Sequence, residues 1–403
     1  MAVLSEDGSP QSFAAYALIA SVINLLPFAD LGLGASVVNM TSDYRAGKLS
    51  QSSYKSGLRK AAGILALISI VLITLFSALR TSNILDIALG SVAMAPWAVE
   101  GFLLSAVLVV LAIPFGLGAR VLQGFGQMGV VAKVALVGPV LQASFFVPIL
   151  IFGAPSEVIF VAPAVAFFVV AVWQSAVARR AIRSTAGSSA PALGVQSHRV
   201  RLMATAAPYL LISVALALSY QSHRILLANV GPVGDVAQYA AAAQFVGPLV
   251  ALVSLVGQNL WSTYRSETAP GSVMGATFHT HVLGFGGIGV SFAIGFAVLA
   301  PMVVRLVSGD VLDIPAGLVL SAVLYIVVSA AHQPSAMYLT NSSGLWMQAV
   351  MTLLVAAATV TFILSLSDRL GPASPYAGLA FSMLFFQVIP SYLMVRRRIS
   401  RSG

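Results

Sequence analysis

Cysteine is absent from the 403 residues, and charged side chains make up only 8% of the sequence. Without cysteine the chain has no disulfide, no thiol nucleophile and no thiolate metal ligand. Scarce charge combined with 59% hydrophobic residues lies far outside the composition of soluble globular domains. The apolar surface of such a chain requires a membrane.

Catalytic motifs are absent as well. The sequence contains no P-loop, no Gly-rich dinucleotide turn after a strand and no G-x-S-x-G elbow. Its five histidines are scattered, and His279 and His281, two positions apart, do not share a helix face. We therefore predict no enzyme activity, no cofactor and no metal site.

Long apolar runs dominate what is present. A helix that crosses hydrocarbon needs roughly 20 mostly apolar residues, because its backbone polar groups must be satisfied within the segment. About eleven stretches meet this criterion. They are 12–40, 60–79, 97–118, 127–152, 157–178, 203–229, 236–262, 279–303, 315–340, 345–366 and 375–395. The run 101–119 lacks the alternation of barrel strands, so we predict an all-α integral membrane protein.

The positions of Lys and Arg predict the topology, because cytoplasmic loops concentrate basic residues. If the first helix runs from outside to inside, 17 of the 21 basic residues lie inside and three, Arg80, Arg305 and Arg369, lie outside. The N-terminus is then outside and the C-terminus inside. Topology accounts for the net charge of +9, and no nucleic-acid partner is needed.

Weak internal similarity indicates two homologous halves. GSPQSFAAY (8–16) and GPVGDVAQY (231–239) each place a Gly before a Tyr that opens a helix running inward. VLQGFG (121–126) and LTNSSG (339–344) each predict a tight inner turn. These offsets differ by only a few residues, which favours duplication. The helix 203–229 then has no counterpart, as if one N-terminal helix were lacking.

Two segments resemble a known family. FADLGLG (28–34) after YALI (16–19) is similar to the second helix of bacterial oligosaccharide-lipid flippases, the transporters of O-antigen and capsular polysaccharide biosynthesis. SHRILL (222–227), followed by Gly231 and Gln238–Tyr239, resembles their seventh helix and the start of their eighth. Members often carry an acidic residue where this chain has His223, a departure that weakens any expectation of cation or proton coupling there.

The resemblance implies the fold of the multidrug/oligosaccharidyl-lipid/polysaccharide exporter superfamily. We expect bundles of five and six helices around a central cavity, from an N-terminal lobe (1–178), a basic polar linker (179–202) and a C-terminal lobe (203–403). The implied function is flipping of polyprenyl-diphosphate oligosaccharide across the bacterial cytoplasmic membrane by alternating access. Implied partners are this substrate, membrane lipids and other polysaccharide-assembly membrane proteins.

Polar residues inside apolar helices are the candidate substrate site. Arg224 is the one basic residue placed within a predicted helix, whereas Arg120 is assigned to the inner loops and helix ends. Its guanidinium can fork onto phosphate oxygens, and Tyr220 and Gln221 share its helix face. The alternative is that Arg224 reaches the outer interface. Three further polar residues complete the predicted lining: Asn24, Gln238 and Gln244.

Asp30 is the one carboxylate placed deep in a predicted helix. Because an uncompensated buried charge is expensive, it should face water, a partner or a helix terminus. It therefore either lines the cavity or has a structural role beside Gly32 and Gly34.

Proline frees a backbone carbonyl and kinks helices, so we predict hinges at proline. The candidates are Pro27, Pro114, Pro139, Pro148 and Pro334.

Two other functions compete with flipping. A cation-coupled antiporter of drugs or small molecules from the same superfamily should show more than one buried carboxylate, and only Asp30 qualifies. A membrane polysaccharide polymerase or ligase should have a long outer loop for catalysis, but the longest one, 80–96, holds mostly small apolar residues.

Overall fold

The computed structural model of the protein describes residues 30–81, 98–145, 158–186, 202–266, 271–308 and 313–402. Helices account for nearly all of these residues, and no strand occurs among them. The helices are α1 Leu33–Arg45, α2 Gln51–Thr81, α3 Ala98–Gly124, α4 Met128–Ala135, α5 Val137–Ser144, α6 Val158–Ala186, α7 Met203–Val230, α8 Val233–Ser266, α9 Gly271–Ser308, α10 Ala316–Tyr338, α11 Ser342–Leu370, α12 Ser374–Met383 and α13 Ile389–Ser402. A 3₁₀ turn, Gly371–Ala373, precedes α12, and a π-helical turn, Leu384–Val388, joins α12 to α13.

Most of these helices have the length and composition of membrane spans. Within the described ranges, seven helical stretches are long and apolar enough to cross a membrane. The last of them, Ser342–Arg401, contains two predicted spans that Gly371 separates. Each of the eleven predicted segments corresponds to a described helix, in whole or in part. The prediction of an all-α, multi-pass membrane protein is confirmed.

The chain divides into two compact units, Met1–Ala206 and Ala207–Gly403. The described core of the first unit packs α1 against α2 and α3, with Leu33, Tyr54 and Leu122 almost fully buried. The second unit has two apolar clusters. One surrounds Tyr325 on α10, and the other surrounds Phe278 on α9.

Close approach of α3 and α6 depends on glycine. A Cβ atom at Gly118 would lie 2.4 Å from the backbone N and Cα of Ser175. The Ser175 hydroxyl donates a 2.7 Å hydrogen bond to the carbonyl of Phe115. Small residues let helix backbones meet in a membrane, where hydrophobicity alone does not drive helices together. The pair α3 and α6 is therefore held by dispersion and this hydrogen bond.

The predicted span 12–40 is wrong at its C-terminal part. Leu31 and Gly32 have φ values of 46° and 75°, both left-handed, and α1 begins only at Leu33 and continues to Arg45. The Gly32 N–H donates to Asp30 Oδ1 at 2.9 Å. Aspartate readily forms such a local turn, and glycine tolerates positive φ, so the Asp-Leu-Gly sequence interrupts the helix.

The predicted span 127–152 is also interrupted. Helix α4 ends at Ala135 and α5 begins at Val137. Proline at position 139 lacks an N–H and clashes with the carbonyl four residues earlier, which belongs to Ala135. The break therefore lies where Pro139 requires it, while residues 146–157, including Pro148, lie outside the described residues.

The helix before the predicted linker is longer than the apolar pattern indicates. Helix α6 extends to Ala186, so residues 179–186 of the predicted linker (179–202) are helical. Arg179, Arg180 and Arg183 belong to this extension. Arginine is a good helix former, and positive charges in the last turn interact favourably with the helix dipole. The helix therefore continues beyond its apolar part.

An ion pair joins consecutive helices at the predicted outer end of each unit. In the first unit Arg80 at the end of α2 binds Glu100 at the start of α3, at 3.1 Å. In the second unit Arg305 of α9 binds both carboxylate oxygens of Asp313, just before α10, at 3.0 and 2.9 Å. These hydrogen bonds from Arg305 hold the pKa of Asp313 below its ordinary value. The two hairpins occupy equivalent places in the proposed repeat.

Candidate functional site

A partly buried ion pair connects α3 to the turn before α1. Arg120 Nη2 lies 3.4 Å from Asp30 Oδ2, and the side chains are 23% and 16% exposed. Arg120 therefore belongs to α3, close to the end of the helix that the charge pattern predicts to be inner. The apolar composition of the run ends near residue 119, but the helix continues to Gly124. Arg224 is consequently not the only basic residue inside a helix.

The backbone around Asp30 stabilises its negative charge. The carboxylate accepts the Gly32 N–H and lies at the N-terminus of α1, where the helix dipole is positive. Both of the compensations that an embedded carboxylate needs, a cationic partner and a helix terminus, are therefore present. The contact with Gly32 is compatible with the predicted structural role of Asp30.

Gly34 and Gln123 shape the space around the pair. A Cβ atom at Gly34 would lie 2.3 Å from Asp30 Oδ2 and 2.7 Å from Arg120 Nε. Only glycine therefore lets both charged groups meet over the first turn of α1. Arg120 Nη1 also approaches Gln123 Oε1, at 3.5 Å. A guanidinium with several donors in this position can exchange a carboxylate oxygen for another anionic oxygen.

Several predicted site residues cannot be placed. Asn24 and Pro27 lie outside the described residues. Tyr220, Gln221 and Arg224 belong to helix α7, but the description does not extend to their side chains. Their proposed role in substrate binding stays a prediction.

The two predicted glutamines of α8 differ in environment. Gln238 is half-buried, whereas Gln244 is exposed. Six residues correspond to about 600° around a helix, so the two side chains point in directions roughly 120° apart. They do not form one polar face, although both remain on the helix that the resemblance indicated.

Three of the predicted hinge prolines lie in described helices. Pro114 is inside the uninterrupted helix α3, Pro139 follows the break between α4 and α5, and Pro334 is inside α10. Pro334 is buried beside His332 and Gln333. The Gln333 amide donates a 3.2 Å hydrogen bond to Ser254 of α8, which ties the region of the proline to its neighbour.

The sequence does not predict the contact between a buried histidine and a buried tyrosine. His223 Nδ1 lies 3.2 Å from the Tyr239 hydroxyl, joining α7 to α8, and both side chains are buried. The Tyr239 ring lies 5.0 Å from that of Tyr376, which stacks on Tyr325 at 5.5 Å. Polar aromatic residues inside apolar segments could have indicated this cluster. The Tyr239 hydroxyl gives the buried His223 ring a hydrogen-bond partner on the neighbouring helix.

A buried chain of hydrogen bonds was also missed. Gln387, in the π-helical turn, donates to the Thr352 hydroxyl at 2.8 Å, and Thr352 donates to the Gln348 carbonyl at 2.8 Å. Ser391 donates to the Gln387 carbonyl and lies 3.5 Å from His332 Nδ1. This chain links α10, α11 and α13. π-Helical turns often occur at functional positions, but nothing in the sequence pattern marks this one.

Among the described residues, no group of three His, Asp or Glu side chains is arranged to hold a metal ion. The described part of the first unit holds the Asp30–Arg120 ion pair. In this pair Arg120 can release the carboxylate and bind another anionic group.

No protein-family model matches the chain, and no curated protein matches it. Solved structures do match. An outward-facing multidrug resistance MATE family transporter of the MOP superfamily gives a TM-score of 0.75 at 14% identity, over 98% of this chain and 89% of that chain. A MOP superfamily transporter from Pyrococcus furiosus gives 0.75 at 14% identity, over 97% and 89%.

A third match is a mutant MATE transporter from Vibrio cholerae, with a TM-score of 0.68 at 16% identity, over 98% of this chain and 90% of that one. Identities this low inform about architecture only. This chain therefore has the fold of the MATE transporters of the MOP superfamily.

Proposed function

We propose that this protein is a transporter that flips polyprenyl-diphosphate oligosaccharide across the bacterial cytoplasmic membrane for surface polysaccharide assembly. Its two helical units would give alternating access to the two sides. The general role, membrane transport, rests on the shared fold and on helices that are long and apolar enough to span. The specific cargo rests on the charges described next and on the resemblance of segments 28–34 and 222–239.

The observation that carries the proposal is the neutralised carboxylate Asp30. Its charge is balanced by Arg120 at 3.4 Å. A cationic drug would need a carboxylate that is not already compensated, whereas an anionic diphosphate needs cations. Arg120 can exchange its carboxylate partner for phosphate oxygens, and Arg224, the predicted phosphate-binding residue, belongs to α7.

A structural neighbour supports using charge as the criterion. The Pyrococcus furiosus transporter is described as having a binding pocket of reverse polarity that suggests a different function. In the present chain, guanidinium groups at Arg120 and at the predicted site residue Arg224 would favour anionic cargo. Long-range electrostatics select partners by sign more than they add affinity.

The test is reconstitution in proteoliposomes with fluorescent lipid-linked oligosaccharide, in parallel with export of a cationic dye. We expect flipping without dye export. Arg224→Ala should reduce flipping strongly. The matched control, Arg369→Ala, removes an exposed arginine at the end of α11 and should leave flipping unchanged. Full flipping by a normally expressed Arg224→Ala protein would reject the role of Arg224. Dye export with no flipping would reject the proposal itself.

A cation-coupled antiporter of drugs or small molecules is the second candidate. It is favoured by one observation, since one structural neighbour is a multidrug resistance transporter. Asp30→Asn separates the two candidates. An antiporter that titrates this carboxylate would lose pH-driven dye export in the variant. A flippase would retain lipid-linked oligosaccharide flipping, because Arg120 keeps its charge and loses only its internal competitor.

A further inference from the structure

A groove opens in the first unit, and neither Asp30 nor Arg120 lines it. One wall is a face of α2 formed by Lys60, Gly63, Ile64 and Leu67, at the i, i+3, i+4, i+7 spacing of a single helix side. The other wall is formed by Leu202 and by the first two residues of α7, Met203 and Ala204. The groove is wide open on one side and has a volume of about 720 Å³, within the usual range of ligand sites.

The groove is apolar along its length and cationic at one end. Leu67 and Met203 are 62% and 58% exposed, as expected for side chains that contact lipid tails. Lys60 forms no hydrogen bond or ion pair with any described residue, and its side chain is exposed. From Lys60 to Leu67 the wall measures about 10 Å. The groove therefore has the polarity of a single lipid, with a head group at Lys60 and a chain beyond it.

The charges around Lys60 select the sign of the head group. Lys55 and Arg59 lie on the same end of α2 and are exposed. No Asp or Glu occurs anywhere in α2. Basic residues at this end place it at the predicted cytoplasmic surface, where anionic lipids attract Lys and Arg side chains. An anionic head group is favoured over a zwitterionic one.

Gly63 leaves room for the chain of such a lipid. A Cβ atom there would meet nothing within 4 Å, so the groove floor is open at this position. We propose that this groove binds one anionic glycerophospholipid, with its phosphate on Lys60 and an acyl chain along Gly63, Ile64 and Leu67. This inference goes beyond the proposed function and does not depend on it.

The test is native mass spectrometry of the full-length protein with added phosphatidylglycerol or phosphatidylcholine of the same acyl chains. We expect the protein to bind one phosphatidylglycerol molecule in preference to phosphatidylcholine. Lys60→Gln should weaken this binding about fivefold, the effect of one basic residue at a membrane surface. The control Lys133→Gln removes an exposed lysine of α4 and should leave binding unchanged.

A second variant tests the apolar part of the groove. Gly63→Leu should fill it and abolish preferred binding, whereas Gly284→Leu, at an equally open glycine of α9, should not. Equal affinity for the two lipids, or equal effects of Lys60→Gln and Lys133→Gln, would overturn the proposal. So would preferred binding of polyprenyl phosphate over phosphatidylglycerol, or binding that survives Gly63→Leu.

Discussion

Replacing Asp30 by asparagine removes the charge of the embedded pair while keeping its shape. Asparagine still offers Oδ1 to the Gly32 N–H, so the turn before α1 should persist. What is lost is the attraction to Arg120, which then remains partly buried without its carboxylate. The variant therefore isolates the ion pair from the local turn.

The expected magnitude follows from burial and distance. Breaking a fully buried pair costs about 3–5 kcal/mol, and exposed pairs contribute about 0–1 kcal/mol. With side chains 23% and 16% exposed and a separation of 3.4 Å, this pair lies between these limits. The contact is longer than a strong charge-assisted hydrogen bond. We expect a coupling free energy of about 1–2 kcal/mol.

A double-mutant cycle measures this coupling. The free energy of unfolding is determined in mixed detergent micelles for the wild type, Asp30→Asn, Arg120→Gln and the double variant. If the two single effects add within about 0.5 kcal/mol, the pair contributes nothing and the reasoning is refuted. Gly34→Ala should reproduce the loss, because its Cβ would intrude on both charged groups. Gly63→Ala, at an open glycine, is its control.

Three other outcomes are expected. Gly118→Ala should lower the free energy of unfolding by about 1–3 kcal/mol, because its Cβ overpacks the contact with α6. The control is Gly116→Ala on the same helix. A Cβ there meets nothing within 4 Å, so this variant should not lower the free energy of unfolding. Thr352→Val leaves the buried Gln387 amide without its acceptor and should lower the free energy of unfolding by about 1 kcal/mol. The control Thr361→Val, on the exposed face of α11, should lower it by about zero. Equal losses of unfolding free energy would contradict the buried chain of hydrogen bonds. Because the pKa of Asp313 is lowered in the folded protein, its stabilising effect should be present above its ordinary value of 3.8 and disappear as pH falls through the lower folded value. Thermal unfolding of Asp313→Asn and wild type should therefore differ at neutral pH and converge in acid, and a difference that persists would contradict the ion pair.

The spans were predictable because hydrocarbon imposes one condition on every residue that faces it. Long runs such as 279–303 and 345–366 are apolar on all sides and need no partner to be recognised. Their ends were less predictable. Helix α9 begins at Gly271 and α6 extends to Ala186, well beyond the apolar windows, because helices continue into the interface with basic and polar residues.

Breaks within spans were predictable only where local chemistry announces them. Pro139 marks the end of α4 by a steric clash with its own chain. Leu31 and Gly32 interrupt the first predicted span through an aspartate turn, a signal present in the Asp-Leu-Gly sequence but outweighed by the apolar residues around it. The π-helical turn at Leu384–Val388 has no such local signal.

The sequence by itself determined the membrane environment and the helical class, because each depends on composition within one segment. Only the tertiary structure decided which polar groups meet. Asp30 and Arg120 are 90 positions apart, and their contact requires α1, α3 and the missing side chain of Gly34 together. A distance between two charges is a property of packing, and no window of one chain segment contains it.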